Sequence, residues 1–274
     1  MSPTGPTPPR AELPHQHGAW SILAAAFLLG LGAAPGPVPG RVWALLAAIL
    51  AGFIGRELLS RHLRQAARTG PAAARRLTLL AVCGAVILLA CSWLMLRHRL
   101  IWLAAFGAIE AACVLILGGF ERRRRHLSLE AELVGTAGLS LVTLITAYAK
   151  TGALSADAVG LWATSALFFC ASVFHVRYIV RRRIERAGPL SARLRAGAVS
   201  VLYHAVAAGV IAGMGLAGLL PPLAGVAWVP VLGKALLTAL RRDTGRLVMR
   251  RIGLTELAHT TLFVLLTIVA WRAA

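Results

Sequence analysis

Residues 99–125 read RLIWLAAFGAIEAACVLILGGFERRRR. From Leu100 to Phe120 this stretch carries one charged side chain, Glu110, and it then runs into Glu121 and the four arginines Arg122–Arg125. A bilayer core of about 30 Å is crossed by about 20 apolar residues in a helix. The stretch therefore reads as a membrane-spanning helix, at 99–119, halted by a basic block. Working outward, eight further segments of similar size and character divide the chain, at 18–34, 41–59, 77–96, 131–149, 157–178, 197–217, 222–240 and 254–272. No strand pattern interrupts them, so the expected fold is an all-α polytopic transmembrane helix bundle of about nine spans.

Composition agrees. The chain has 274 residues, 58% of them hydrophobic and only 14% charged. Average soluble domains carry roughly 45–50% apolar and about 25% charged residues. That difference excludes a water-soluble enzyme. The net charge of +19 would suggest nucleic acid in a soluble chain, but here arginines sit in short blocks between apolar runs, as loops facing an anionic membrane surface do. No nucleic-acid partner is expected.

Sorting the cations by loop fixes an orientation. The amino-terminal tail and the loops after spans 2, 4, 6 and 8, with the flanking span ends, hold 24 of the 29 Lys and Arg residues. The other loops hold Arg41, Arg97, Arg99 and Lys150, and Arg272 stands near the carboxyl end. By the bias of Lys and Arg towards cytoplasmic loops, the amino terminus is expected in the cytoplasm and the carboxyl terminus outside. Residues 1–16 read as a disordered cytoplasmic tail and 17–274 as a single nine-span domain. Met1–Pro14 has Arg10 against Glu12 and no basic n-region, so no cleaved signal peptide is expected.

Two basic loops resemble each other. Arg68–Arg75 and Arg186–Arg193 both fit R-x-G-P-x-x-A-R, and Arg125 precedes Glu130 by five residues as Arg251 precedes Glu256. This hints at a four-span unit used twice, spans 2–5 and 6–9, with span 1 in front. The competing reading is chance in an Ala- and Arg-rich chain. A repeat would matter because membrane proteins often place ligand sites between such units.

Ionisable groups within a bilayer are costly, and each is a candidate for function. Glu110 is the deepest carboxylate, read either as a titrating group or as a neutral buried acid. The rest gather in the halves of the spans nearest the basic loops. They are His17 in span 1, Arg56 and Glu57 in span 2, His175, Arg177, Tyr178 and Arg181 in span 6, Tyr203 and His204 in span 7, Lys234 in span 8, and Glu256 and His259 in span 9. Arg122 follows span 4. His175 and Tyr178 share a helix face, as do Glu256 and His259. Their convergence would form a polar mouth, with Glu110, His175, Glu256 and His259 as candidates for proton transfer and the others as ligand-binding groups. The competing reading is ordinary snorkelling at helix ends. Neither metal nor cofactor is expected. Cys83, Cys91, Cys113 and Cys170 lie in apolar spans, His15-x-His17 is a weak pair, Glu256-x-x-His259 is half of a di-iron motif lacking its second copy, and no phosphate-loop or zincin motif occurs.

Three stretches resemble the YwiC-like family of bacterial integral membrane proteins. These are His17-Gly18-Ala19-Trp20, the segment Glu121–Leu133 with its Arg block and Ser128-Leu129-x-x-Glu132-Leu133, and Leu254-Thr255-Glu256-Leu257-Ala258-His259. The resemblance implies a multi-pass protein of the bacterial cytoplasmic (inner) membrane and names no reaction. A remoter similarity is to UbiA-type prenyltransferases, which have nine spans, an internal two-fold relation and a site at the loops after spans 2 and 6. That family holds an isoprenoid diphosphate through Mg²⁺ on Asp-rich motifs. Here Arg56, Glu57, Arg61 and Arg64 stand in the first loop, and Arg177, Arg181, Arg182, Arg183 and Glu185 in the second. Such residues do not build an oxygen cage for Mg²⁺, though guanidinium forks bind phosphate directly.

Taken together, these readings point to a bundle binding an isoprenoid, quinone or anionic amphipathic lipid at a polar cavity on the cytoplasmic side. A proton-coupled permease using Glu110 is the first alternative. A non-catalytic assembly subunit packing through Gly209-x-x-x-Gly213 is the second. Enzymatic activity and oligomeric state are not set by the sequence.

Overall fold

The computed structural model describes residues 17–64, 70–125, 127–184, 189–240 and 249–274. Among these residues the regular structure is helical. In chain order the helices are α1 (His17–Ala33), α2 (Arg41–Arg64), α3 (Pro71–His98), α4 (Trp102–Arg122), α5 (Leu129–Thr151), α6 (Ala156–Ile184), the short α7 (Leu190–Ala196), α8 (Ala198–Leu216), α9 (Val229–Leu240) and α10 (Met249–Arg272), with a 3-10 segment at Pro222–Trp228. Eight of these segments are long and apolar enough to cross a membrane, the 3-10 segment counting with α9, and Gly18–Ala33 is a shorter apolar helix. Each expected span thus coincides with a helical segment, and the protein is a multi-pass membrane protein. The expected tail at 1–16 and parts of both R-x-G-P-x-x-A-R loops lie outside the described residues.

Several helices outrun their apolar spans at the basic end. α2 continues from the expected residue 59 to Arg64 and α6 from 178 to Ile184, while α3 starts at Pro71 and α10 at Met249. Hydropathy marks where the chain is in lipid, whereas backbone hydrogen bonding carries the helix on into the interface. At about 1.5 Å per residue such helices exceed the bilayer core and lift their arginines out of it. Proline at the first position of α3, after Gly70, suits a helix start because its missing N–H has no partner there anyway.

The eighth span departs from a uniform helix. An α-helical bond to the carbonyl of Val226 would come from residue 230, which is proline and has no N–H. The N–H of Val229 takes that carbonyl instead. The span therefore begins as a 3-10 helix and becomes α-helical only from Val229.

α5 is the organising helix. Ser128 Oγ accepts the N–H of Ala131 at 3.3 Å, Glu130 and Glu132 occupy the first turn, and Gly152 closes the helix in the left-handed region, so both ends carry the side chains that stabilise a helix terminus. Its residues Thr136 to Lys150 are mostly buried, and it packs against α1, α2, α4 and α6. α1 in turn lies against α5, α6 and α10. The core around α1, α6, α8 and α10 includes Phe168 stacked on Phe263 at 3.8 Å. A second core joins α2, α3, α4 and α5 through Leu45, Leu94, Phe106 and Tyr148. α3 packs chiefly on α2 and leaves Leu77, Val82, Leu88, Leu89 and Leu96 exposed, a surface suited to lipid chains.

At the end opposite the arginine loops, three cations are bonded to backbone. Lys150 Nζ donates to Leu31 O at 2.8 Å and Ala34 O at 2.7 Å. Arg272 Nε donates to Gly32 O at 2.7 Å. Arg41 donates to Ala149 O at 2.6 Å and Lys150 O at 3.0 Å. The last carbonyls of a helix lack intrahelical donors, and in lipid they need partners from elsewhere. The side chains that supply them come from three other points in the chain.

Candidate functional site

A cavity of about 1,410 Å³ opens towards the basic end. Its walls come from the start of α1 (Gly18, Ile22), the start of α5, the second half of α6, the start of α8 and the start of α10. Along α6 the lining runs from Arg181 down to Phe169. That offset of 12 residues corresponds to a depth of about 18 Å in a helix. The deep wall reaches the apolar Phe169 and Val173, and the mouth carries Arg177, Arg181 and Arg250. Ser21, Ser172, Ser200, Thr260 and Glu256 add polar groups to the lining, and Val176 and Leu257 add apolar ones.

The arginines of the mouth differ in their commitments. Arg177 Nε donates to Glu132 Oε2 at 2.7 Å and Nη2 to Leu127 O at 2.6 Å, which ties the end of α6 to the start of α5. Arg181 and Arg250 are exposed. Arg182, by contrast, is buried, donates to Thr238 O and places its guanidinium 5.7 Å from the Tyr178 ring centroid. Tyr178 is buried too. Its ring occupies the space where a Cβ on Gly197 would lie, 2.6 Å from Cε2 and Cζ, so this glycine lets the ring close the cavity wall between α6 and α8.

Behind the wall four helices bring ionisable groups together. Lys234 Nζ on α9 donates to Glu256 Oε1 at 3.0 Å and Oε2 at 2.9 Å on α10. His175 Nε2 on α6 lies 3.8 Å from the same carboxylate. His204 on α8 places Nδ1 2.7 Å from Ser200 O, and His259 on α10 places Nδ1 2.8 Å from Thr255 O. His175, His204 and Lys234 are buried. The nearby Tyr203 stacks on Phe174 at 4.3 Å and donates to Leu167 O at 2.9 Å. Of the expected mouth residues, Arg177, Tyr178, Arg181 and Glu256 line the cavity, while His175, His204 and Lys234 form the buried layer behind Glu256.

The remaining candidates lie elsewhere. Arg56, Glu57, Arg61 and Arg64 belong to the α2–α4 seam, where Arg61 pairs with Glu57 at 3.0 Å and Arg64 approaches Glu121 at 3.7 Å. Ser60 Oγ donates to Glu121 Oε1 at 2.5 Å. Glu110 sits on α4 against α5, its Oε2 3.2 Å from where a Cβ on Gly138 would stand. It does not line the large cavity. Arg122 is exposed at the end of α4. His17 begins α1, and its side chain lies outside the described residues. Among the described residues no three His, Cys, Asp or Glu side chains are close enough to share a metal ion.

Sequence reasoning did not place Arg250 or the hydroxyls of Ser21, Ser172, Ser200 and Thr260 among the site candidates, and it named Glu132 only within the family-like segment Glu121–Leu133. Arg250 was hidden in a basic block, because α10 starts earlier than its apolar span. Serine and threonine leave no hydropathy signal in a helix that is apolar on every face.

Residues 13–148 match the family model described as YwiC-like protein. No curated protein and no solved structure matches the chain.

Proposed function

We propose, for a multi-pass membrane protein whose residues 13–148 belong to the YwiC-like family, that the cavity binds an isoprenoid or other amphipathic lipid with an anionic head. The observation that carries this is the cavity itself, deep and apolar, with guanidinium groups at its mouth. Pockets for drug-sized ligands occupy about 300–1,000 Å³, and 1,410 Å³ exceeds that range, leaving room for a long chain. An apolar wall gives such a chain no penalty for leaving the bilayer. Arg181 and Arg250 supply planar donor forks matched to phosphate oxygens.

Radiolabelled farnesyl diphosphate is the probe that tests this reading, with the protein in lipid nanodiscs. Saturable binding is expected. Each hydrogen bond to a charged group is worth about 1.5–3 kcal/mol, so the Arg181→Ala, Arg250→Ala double variant should weaken binding by about tenfold or more. Farnesol, which lacks the anion, should bind weakly and equally to both proteins. Absence of saturable binding to the parent protein sinks the proposal.

The same reading makes the arginine-rich end cytoplasmic, supported by the bias of 24 of 29 cations towards it and by the anionic surface of the inner leaflet. A phosphatase that works only outside the cytoplasm should be active when fused after Ala274 and silent when fused after Arg125. The reverse pattern would invert the orientation.

A further inference from the structure

Among the described residues two carboxylates line the cavity, and one of them is neutralised from within it. Glu132 is held by Arg177 at 2.7 Å, both residues lining the same wall. Glu256 is held from behind. Lys234 Nζ bonds both its oxygens and His175 Nε2 stands 3.8 Å away, yet neither Lys234 nor His175 lines the cavity. Side-chain exposure follows the same order, 16% for Glu256 against 6% for Lys234 and 3% for His175. The carboxylate is thus the point at which a buried ionisable cluster meets whatever enters.

The groups around it set what that meeting does. α6 brings His175 and, further towards its end, Arg182; α8 brings His204, α9 Lys234, and α10 His259. α5 contributes Glu132 already paired with Arg177. On α1 the cavity is lined by Gly18, Ser21 and Ile22, none of them charged. A carbonyl only accepts, so the Nδ1 atoms of His204 and His259 facing Ser200 O and Thr255 O carry hydrogens. In the neutral rings this leaves Nε2 as an acceptor. His175 Nδ1 and His204 Nε2 are both buried and have no hydrogen-bond partner among the described residues. With neutral imidazoles, the charges in direct contact are the Lys234 cation and the Glu256 anion, which cancel.

From this arrangement we infer that Glu256 is a proton-binding site linked to the cavity's ligand, so that an anionic head group entering past Arg181 and Arg250 binds together with a proton. The inference rests on the lipid-binding reading above. An anion at the mouth is repelled by an ionised Glu256. Six residues separate Arg250 from Glu256 on α10, which is about 9 Å along the helix. At an effective dielectric constant of about 20, two like charges at that separation weaken each other's presence by roughly twentyfold. Protonating Glu256 removes the repulsion and leaves Lys234 as an uncompensated cation, which the incoming anion then balances. Without a ligand, protonation would strand that cation in an apolar interior, which is costly. Proton and anion therefore enter as a neutral pair. By thermodynamic reciprocity the anion favours the proton by the same factor as the proton favours the anion.

The test uses farnesyl sulfonate, whose charge does not titrate, with farnesol as the uncharged comparator. Titration calorimetry in two buffers of different ionisation enthalpy reports proton uptake directly. The parent protein is expected to take up a proton with the sulfonate and none with farnesol. Its affinity for the sulfonate should fall by roughly twentyfold from acid to alkaline buffer. Glu256→Gln should bind the sulfonate without proton uptake and with no such fall. Should the unpaired Lys234 prevent folding of that variant, the Lys234→Gln, Glu256→Gln double variant removes both charges and carries the same expectation. Undiminished proton uptake in either variant that binds the sulfonate overturns the inference. If the parent protein binds no sulfonate at any pH, the lipid-binding reading itself fails and this inference falls with it.

Discussion

Replacing Lys234 by Met is expected to destabilise the protein by about 3–5 kcal/mol, the cost of leaving one member of a buried ion pair without its partner. Met fills nearly the same volume as the lysine stem, so packing is not what changes. What changes is that Glu256 loses both of its hydrogen bonds, at 3.0 and 2.9 Å, and keeps only His175 at 3.8 Å. Its surroundings are otherwise the inner half of a helix bundle, where Lys234 itself is buried. The double variant Lys234→Met, Glu256→Gln removes both charges together. Buried pairs replaced as a unit by groups of similar shape are often neutral in stability, so most of the lost stability should return. Thermal unfolding in one fixed detergent, with the two single variants and the double compared, separates the outcomes. A Lys234→Met protein that unfolds at the parent temperature would show that the pair is solvated and carries none of the assigned cost.

A second large effect is expected at Gly30. A Cβ there would lie 2.7 Å from Thr146 Cβ and 3.0 Å from Ala147 N, and would collide with Thr143 O. Two of those atoms are α5 backbone and cannot rotate away. Gly30→Ala must therefore push α1 off α5, and forced overpacking costs about 1–3 kcal/mol and occasionally more. The displaced turn also carries Leu31 O and Ala34 O, the acceptors for Lys150, so loss of those bonds should put the variant at or beyond the upper end. Gly209→Ala and Gly213→Ala are the controls. At neither glycine would an added methyl group have any described atom within 4 Å, and alanine is favoured over glycine in a helix by up to about 1 kcal/mol. Their unfolding temperatures should hold or rise. Equal loss at all three positions would mean that the close α1–α5 contact is not what Gly30 provides.

This contrast shows why part of the fold was legible in the sequence and part was not. Span length is a property of single segments, and the helices follow it. Which glycine lies in a seam is a property of two segments. In lipid, a helix face against a neighbour and a face against acyl chains are equally apolar, so no periodic pattern tells them apart. Gly209-x-x-x-Gly213 has the spacing of a packing motif and meets no neighbour among the described residues, whereas Ala26-x-x-x-Gly30-x-x-x-Ala34 has the same small-residue spacing and makes a close approach at Gly30. The candidate site divides in the same way. Glu256 and His259 were legible as a pair because they share one helix face. That Lys234 would meet Glu256, or that Arg177 would be consumed by Glu132, required the helices to be set against each other. Glu110 drew attention by depth alone, and the structure sets it on the α4–α5 seam, apart from the cavity.

The end of α1 has a bearing on how the protein is made. Its terminal carbonyls are bonded by Lys150, 119 residues after Leu31 and 116 after Ala34, and by Arg272, 240 residues after Gly32. A ribosome releases these partners long after the first helix has emerged. α1 is therefore made well before the side chains that complete it, and until α5 and α10 arrive its far end must take donors from water or lipid head groups. Lys150 and Arg272 act as the fasteners that end this interval.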